Sequence, residues 1–349
     1  MPAKKKIKAI ALISGGLDSL LAAKVIMNQG IHVEGINFYS GFFGVSTKLV
    51  TLKKDEKKEK YNSATWVAKQ LGIKLHVIDI FAEFKPILLK PKHGYGANLN
   101  PCLDCKTFLV AKTKHWLLQH NFDFIITGEV VGQRPMSQRA DTLPIVAKES
   151  AADDLLLRPL CAKNLSPTKP ETAGWVNREQ LYGFNGRSRK PQIALAKEFG
   201  FNNFPAPAGG CLLTDKQYCA RLNDIWQAKE ERNYTKTDID LLKVGRHLRP
   251  KPNFKLIIGR EQAENKFLKN FKAKFIYMHP LDIAGPLVLI DGKVNASDLK
   301  LAAEITARYS KSKPNNKTQV KVVFTDQTVN VLQVYPLLDE QITASHWHV

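Results

Sequence analysis

Through the first half of the chain, short apolar runs rich in β-branched residues alternate with stretches whose apolar positions recur every three or four residues. KAIALI (8–13), HVEGINFY (32–39), KLHVIDI (74–80) and FDFIITG (122–128) predict strands, and LLLRPL (155–160) predicts one more. Between them LDSLLAAKVIMNQ, YNSATWVAKQLG and KTFLVAKTKHWLLQH predict helices. Strands alternating with helices in this way specify an α/β fold, a parallel sheet with crossover helices of the Rossmann-like type. The run KKDEKKEK (53–60) reads as a solvated face. From Leu165 to Gly210 the chain turns rich in Pro, Gly, Ser, Lys and Arg, as in LSPTKPETAG, FNGRSRKPQ and FPAPAGG, with one helix around QIALAKEFG.

The pattern then changes. AKEERNYTKTD lies in a polar stretch that reads as a linker over 223–240, after a first domain over 1–222. Beyond it FKLIIG, KFIYMH, PLVLID, VKVVF and TVNVLQV predict strands around a single long helix, SDLKLAAEITARYSK. That is a smaller α+β domain, 241–335, with a tail over 336–349.

At 349 residues, 44% hydrophobic and 24% charged, the composition is that of a globular protein with room for more than one core. No run approaches the ~20 apolar residues of a bilayer span. The basic start MPAKKKIKAI leads into a strand rather than a signal-peptide core, which points to a cytoplasmic protein. The formal charge of +20 changes the picture more. Such an excess of Lys and Arg favours a polyanionic partner, through release of counterions from neutralised phosphates. Charge does not choose among tRNA, rRNA and DNA.

Between the first strand and first helix stands Ser14-Gly15-Gly16-Leu17-Asp18-Ser19. It lacks the lysine of a Walker loop. Glycines let a backbone approach an anion, and the following helix start offers N–H groups and a favourable dipole. Asp18 repels phosphate unless Mg²⁺ lies between them. SGGLDS resembles the signature of the PP-loop, or N-type ATP pyrophosphatase, superfamily of adenine nucleotide alpha hydrolase-like folds. The resemblance implies ATP cleaved between its α and β phosphates, with AMP attached to a carbonyl oxygen. It further implies that Ser14, Gly15, Gly16, Asp18 and Ser19 hold the pyrophosphate and Mg²⁺, with Asp18 also serving catalysis.

Five cysteines are an odd number for a disulfide framework. NPCLDCK puts Cys102 and Cys105 on one turn at the start of a helix, where thiolates are favoured, and Cys211 follows two glycines far along the chain. One CxxC is compatible with a redox dithiol, half a zinc site or cluster ligation. The stretch is similar to that of PP-loop enzymes that thiolate tRNA, which also carry a distant cysteine in a closing loop. In one branch, three such cysteines ligate a [4Fe–4S] cluster; in the other, one carries a persulfide and a second resolves it. The resemblance thus implies catalytic, and in the first branch metal-ligating, roles for Cys102, Cys105 and Cys211. Cys161 and Cys219 read as buried residues.

FDFIITGE resembles the family strand ending in Thr-Gly, placing Gly128 at the nucleotide, although Glu129 stands where a His is usual. LLLRPL resembles the family's Arg-Pro-Leu stretch and makes Arg158 a candidate phosphate ligand. Arg187, Arg189 and Lys190 are candidates for RNA backbone.

In the second half GREQAEN, HPLDIAG and AAEITARYSK resemble the NFACT-R RNA-binding domain, with Glu261 in place of a frequent Asn. That resemblance implies RNA contact by Arg260, Asn265 and Lys311. Together the resemblances imply an ATP-dependent tRNA sulfurtransferase making thiouridine. Its partners would be tRNA and an external sulfur donor: a cysteine desulfurase, a persulfide carrier or sulfide. A PP-loop ligase or amidotransferase on a small substrate, or a non-catalytic RNA- or ribosome-associated protein, are the other readings.

Overall fold

The computed structural model describes residues 6–43, 64–204, 211–344 and 347–349. The KKDEKKEK run and the PAPAGG stretch before Cys211 lie outside the described residues. The chain divides into two compact units, the first running to Thr214 and the second starting at Asp215.

The first unit is built on a five-stranded parallel sheet in the order β3-β2-β1-β4-β5. Its strands are β1 (Lys8–Leu12), β2 (His32–Tyr39), β3 (Leu75–Asp79), β4 (Phe124–Ile126) and β5 (Leu156–Leu157). β1 and β4 are apolar on both faces, as strands covered by helices on each side must be. The helix α1 (Leu17–Met27) has buried residues all round, because it lies in the middle of the core with Ala9, Ala11, Phe124 and Ile126. α2 (Ala64–Leu71) also packs into that core. The strand order reverses between β1 and β4, and in open α/β sheets ligands bind beyond the carboxyl ends of the strands at that point.

Two helices escape the periodicity: α3 (Phe81–Leu89), with Pro86 inside it, and α5 (Thr142–Glu149), with Pro144 in its first turn. Between them α4 (Cys102–Gln119) begins at the first cysteine of NPCLDCK. The later part holds the short α6 (Lys169–Thr172) and α7 (Lys190–Glu198).

The second unit has a six-stranded sheet, β11-β10-β8-β9-β7-β6, antiparallel throughout. The five expected strands are β7 (Phe254–Ile258), β8 (Ile276–Pro280), β9 (Val288–Gly292), β10 (Thr318–Val323) and β11 (Val329–Val334). The sixth, β6 (Arg246–Lys251), is polar and contains Pro250, which suits an edge strand. The long helix α11 (Ala296–Arg308) covers one face through Ala302, Ala303 and Ile305 against Met278, Val320 and Val322. A smaller cluster, Leu241, Val244, Ile257 and Leu289 with Phe267 and Phe271, lies apart from it, involving α10 (Gln262–Leu268).

The stretch 223–240 is folded rather than an extended linker. It lies in α8 (Lys216–Ala228) and α9 (Lys236–Leu241), with Trp226, Tyr234 and Ile239 buried. The end of the chain is also tied down. It includes α12 (Asp339–Ala344), and Val349 N donates to His247 O at 3.1 Å beside β6.

Candidate active site

Ser14 to Ser19 run from the carboxyl end of β1 into α1. Gly15 has φ +85°, a left-handed conformation that glycine adopts without strain. The Ser19 hydroxyl donates to Gly16 O at 2.8 Å, and the Ser14 hydroxyl lies 3.3 Å from Ser19 Oγ, so the loop closes on itself with Ser14 exposed. Gly128, at the end of β4, lies against the first turn of α1. A Cβ there would come within 2.4 Å of the Asp18 carbonyl carbon and 2.6 Å of Ser19 N. Gly128 therefore serves by close approach: it lets the two strand ends flank one cradle.

Asp18 is the unsatisfied group of that cradle. Its Oδ2 accepts from Gln133 Nε2 at 2.8 Å, while Oδ1 is buried with no hydrogen-bond partner. Burial pushes its carboxyl pKa up, opposed by the Gln133 amide and by the positive charges of Arg189 and Arg134. A buried carboxylate oxygen without a partner is costly unless something is meant to meet it. A hard cation is the chemistry that fits a lone carboxylate oxygen beside a helix N-terminus able to take phosphate.

Residues 129–138 carry the connection from this cradle to the cysteines. Gln133 holds Asp18 and accepts from Gln192 of α7 at 3.0 Å. Four residues on, Ser137 Oγ accepts from the Cys102 thiol at 3.2 Å. Cys102 and Cys105 stand on the first turn of α4, as the spacing requires, and Asp104 between them accepts from the Lys92 and His93 amides. Cys211 is drawn to the same place by backbone pairing: Leu99 N donates to Leu213 O at 3.2 Å, Asn98 Nδ2 to Thr214 O at 2.8 Å, and Leu212 N to Phe42 O at 3.1 Å. Burial raises the Cys105 thiol pKa well above its ordinary value, and the neighbouring Cys211 and Cys102 raise it further. Cys105 thus lies within electrostatic reach of both other thiols. Among the described residues, however, no set of three His, Cys, Asp or Glu side chains is arranged to hold a metal ion. Cys161 and Cys219 are buried as expected, and burial pushes the Cys161 thiol up to about 11.

Arg158 is buried. It is 6% exposed, with Nε on Glu129 Oε2 at 2.9 Å and Nη2 on Leu143 O at 3.1 Å. Two of its three nitrogens are thus directed at Glu129 and the Leu143 carbonyl, which makes Arg158 a buried support of Glu129. Glu129, 2% exposed, also accepts from Thr127 Oγ1 and faces Lys106 Nζ at 3.6 Å. Burial would raise its carboxyl pKa, but Lys106 and Arg158 together hold it below the ordinary range.

The basic candidates separate. Arg189 stands at the N-cap position of α7, and its positive charge opposes the rise in the Asp18 pKa, while Arg187 and Lys190 are exposed. In the second unit Arg260 is clamped by Glu264, with Nη2 and the backbone amide on its two carboxylate oxygens at 2.5 and 2.7 Å. Asn265 Oδ1 accepts from Leu287 N at 2.9 Å, which ties α10 to the residue before β9. Lys311 is exposed. Gln133, Arg134, Ser137 and Lys106 were missed from sequence; Lys106, next to Cys105, carried the one local signal.

Residues 7–160 match the sequence-family model described as the tRNA methyl transferase HUP domain, and residues 245–348 match the NFACT protein RNA binding domain. The chain is similar to a tRNA-specific 2-thiouridylase, MnmA 3, of Phocaeicola vulgatus, 29% identical over 146 residues, which is 41% of this chain and 37% of that protein. It is also 25% identical over 258 residues to the tRNA-specific 2-thiouridylase of Malacoplasma penetrans, covering 69% of this chain and 65% of the relative. The first alignment thus spans little more than a third of its relative's length. A crystal structure of a 4-thiouridine synthetase–RNA complex with bound ATP aligns at a TM-score of 0.36 and 16% identity, over 69% of this chain and 53% of that one. Over residues 7–160 the chain is therefore similar to the tRNA methyl transferase HUP domain and to tRNA-specific 2-thiouridylases, and over residues 245–348 to the NFACT protein RNA binding domain.

Proposed function

We propose that the protein is an ATP-dependent tRNA sulfurtransferase of the cytoplasm that replaces a uridine carbonyl oxygen with sulfur. The observation that carries this reading is the continuity of the site. A single loop, 129–138, holds Asp18 of the phosphate cradle at one end and the Cys102 thiol at the other.

In this reaction the uridine is turned out of its stack, as enzymes acting on bases require. The carbonyl oxygen attacks the α-phosphorus of ATP and pyrophosphate leaves. The amides at the start of α1 and the charges of Arg134 and Arg189 take up the negative charge of the departing pyrophosphate. Asp18 Oδ1 would hold Mg²⁺, which would offset charge on the phosphates. A persulfide on Cys102 or Cys211, loaded by an external persulfide donor, then attacks the activated carbon, and the C–O bond breaks with AMP as leaving group. A second thiol of the trio attacks the inner sulfur, freeing the thiocarbonyl and leaving a protein disulfide that an external dithiol reduces. Ser137 positions the Cys102 thiol for its part. Among the described residues no set of three His, Cys, Asp or Glu side chains is arranged to hold a metal ion, and the persulfide route needs none at the thiols.

The deciding experiment is mass spectrometry of tRNA nucleosides from cells lacking the chain and complemented with wild type, Asp18→Asn or Cys211→Ala. One thiolated uridine should disappear and return only with wild type. Its persistence in the deletion strain would overturn the proposal.

A further inference from the structure

Arg260 and Asn265 of the second unit are engaged internally, yet one face of its sheet, packed against the Leu289 cluster at Tyr277 and buried at Val323, opens to water further out at Val329, Val331 and Tyr335. In the half-sheet β8-β10-β11, Met278, Val320 and Val322 point to α11. The alternate residues form the other face in register: Tyr277 beside Val323 and Val329, then His279 beside Lys321 and Val331. Val329 and Val331 are 49% and 51% exposed, and Tyr335, just past the end of β11, is 52% exposed. An edge strand with apolar residues open to water is a liability unless it is used.

Ammonium groups surround these apolar positions. Lys272 Nζ stands 4.3 Å from the centre of the Tyr277 ring, and Lys317 Nζ 5.5 Å from that of Tyr335. Lys269 and Lys321 are near enough to Lys272 that, beyond the effect of burial, their charges lower its pKa. Rings and β-branched side chains on a flat sheet, edged by lysines that repel one another, match a polyanion with apolar flat faces. A duplex hides those faces and shows only its backbone and groove edges, whereas unpaired nucleotides present them.

We propose that the β8-β10-β11 face binds an unpaired RNA segment, its bases against Val329, Val331 and Tyr335 and its phosphates on Lys272, Lys321 and Lys317. This deepens the tRNA reading above and rests on it for the identity of the RNA.

The test is fluorescence anisotropy of the full chain with a labelled single-stranded oligoribonucleotide of about twelve nucleotides, and with the same sequence as a duplex. Wild type should prefer the single strand. The double variant Lys272→Gln/Lys321→Gln should lose about tenfold in affinity, and its salt dependence should fall by about 1.4 in log–log slope, about 0.7 for each lost phosphate contact. Val331→Glu, at an exposed position, should weaken binding with its thermal melt unchanged. Equal binding by wild type and variants, preference for the duplex, or no binding by wild type would each overturn the inference. So would a wild-type dimer dissolved by Val331→Glu, which would show β11 pairing with a second copy. The nucleoside assay separates this from the catalytic reading. Thiouridine that depends on Cys102 while the variants bind RNA normally defeats the surface alone; lost binding with no thiouridine dependence defeats the catalytic reading alone.

Discussion

Two carboxylates on the first turns of helices, Asp18 in α1 and Glu264 in α10, meet opposite surroundings. Asp18 keeps one buried oxygen without a partner, and burial raises its pKa. Glu264 is 3% exposed but has both oxygens engaged by Arg260; burial would raise its pKa, and the Arg260 guanidinium and amide bring it below the ordinary range. Both belong to recognisable motifs, yet only the first leaves its chemistry unspent. A motif residue whose polar atoms are satisfied within its own fold is scaffold, and one held buried and unsatisfied is waiting for a ligand. Substitutions in the two regions should therefore fail differently, one in activity and the other in stability.

The largest effect should come from the thiols. Cys102→Ala or Cys211→Ala should abolish thiouridine formation while leaving tRNA-dependent release of pyrophosphate from ATP intact and the thermal melt within a degree or two. A melt that collapses, or a thiouridine level that survives, would break the contrast on its catalytic side.

Arg158 sharpens the comparison from within the first unit, because it is a motif residue of the satisfied kind. Arg158→Ala leaves Glu129 buried with Lys106 as its remaining charged partner, and removing one member of a buried pair costs about 3–5 kcal/mol. Urea unfolding should read that loss, and Arg158→Ala/Glu129→Gln should recover part of it. A variant that keeps its stability but loses ATP turnover would return Arg158 to the phosphates.

Smaller again is the second unit's equivalent. Arg260→Ala should destabilise by about 1–2 kcal/mol, since the pair is partly exposed on the arginine side but its Glu264 partner is buried. Affinity for RNA should change by less than about threefold, a limit set by one peripheral phosphate contact at most. A large loss of RNA affinity without loss of stability would show that the motif itself, and not the β8-β10-β11 face, reads the RNA.

What the sequence made legible follows the same division. The parallel strands and α1 could be read because their apolar periodicity reflects burial on both faces, and SGGLDS because its spacing is local. α3, α5 and β6 were hidden by Pro86, Pro144 and Pro250, each tolerated for a reason that lies in tertiary position. The roles of Gln133 and Ser137 were illegible because a loop's function is to span two places, and neither end is marked in its own residues. Arg158 and Asn265 looked like ligands because their motifs were sound. Only the positions of Glu129 and Leu287 reveal that Arg158 Nε and Asn265 Oδ1 are already engaged.

The smallest effect is also the one that tests the principle most directly. Asp18→Asn should slightly stabilise the ligand-free protein at neutral pH, by about 1 kcal/mol, because it removes a buried charge while leaving Gln133 an oxygen to donate to. The sign in pH follows from the raised pKa. Asp18 binds its proton more tightly folded than unfolded, so its ionisation costs nothing below the unfolded value of about 3.9 and takes full effect above the folded one. The stability difference between variant and wild type should therefore grow as pH rises through that window and vanish in acid. Glu129 and Glu264, with lowered pKa values, run the other way: what they contribute is present above their unfolded values near 4.3 and is lost as pH falls. Addition of Mg²⁺ and ATP should then reverse the order of the two proteins at neutral pH, since a ligand that binds only the folded wild type stabilises it in proportion to its occupancy. If Asp18→Asn is less stable than wild type without nucleotide, the carboxylate is scaffold like Glu264, and the contrast between the two regions fails at its first term.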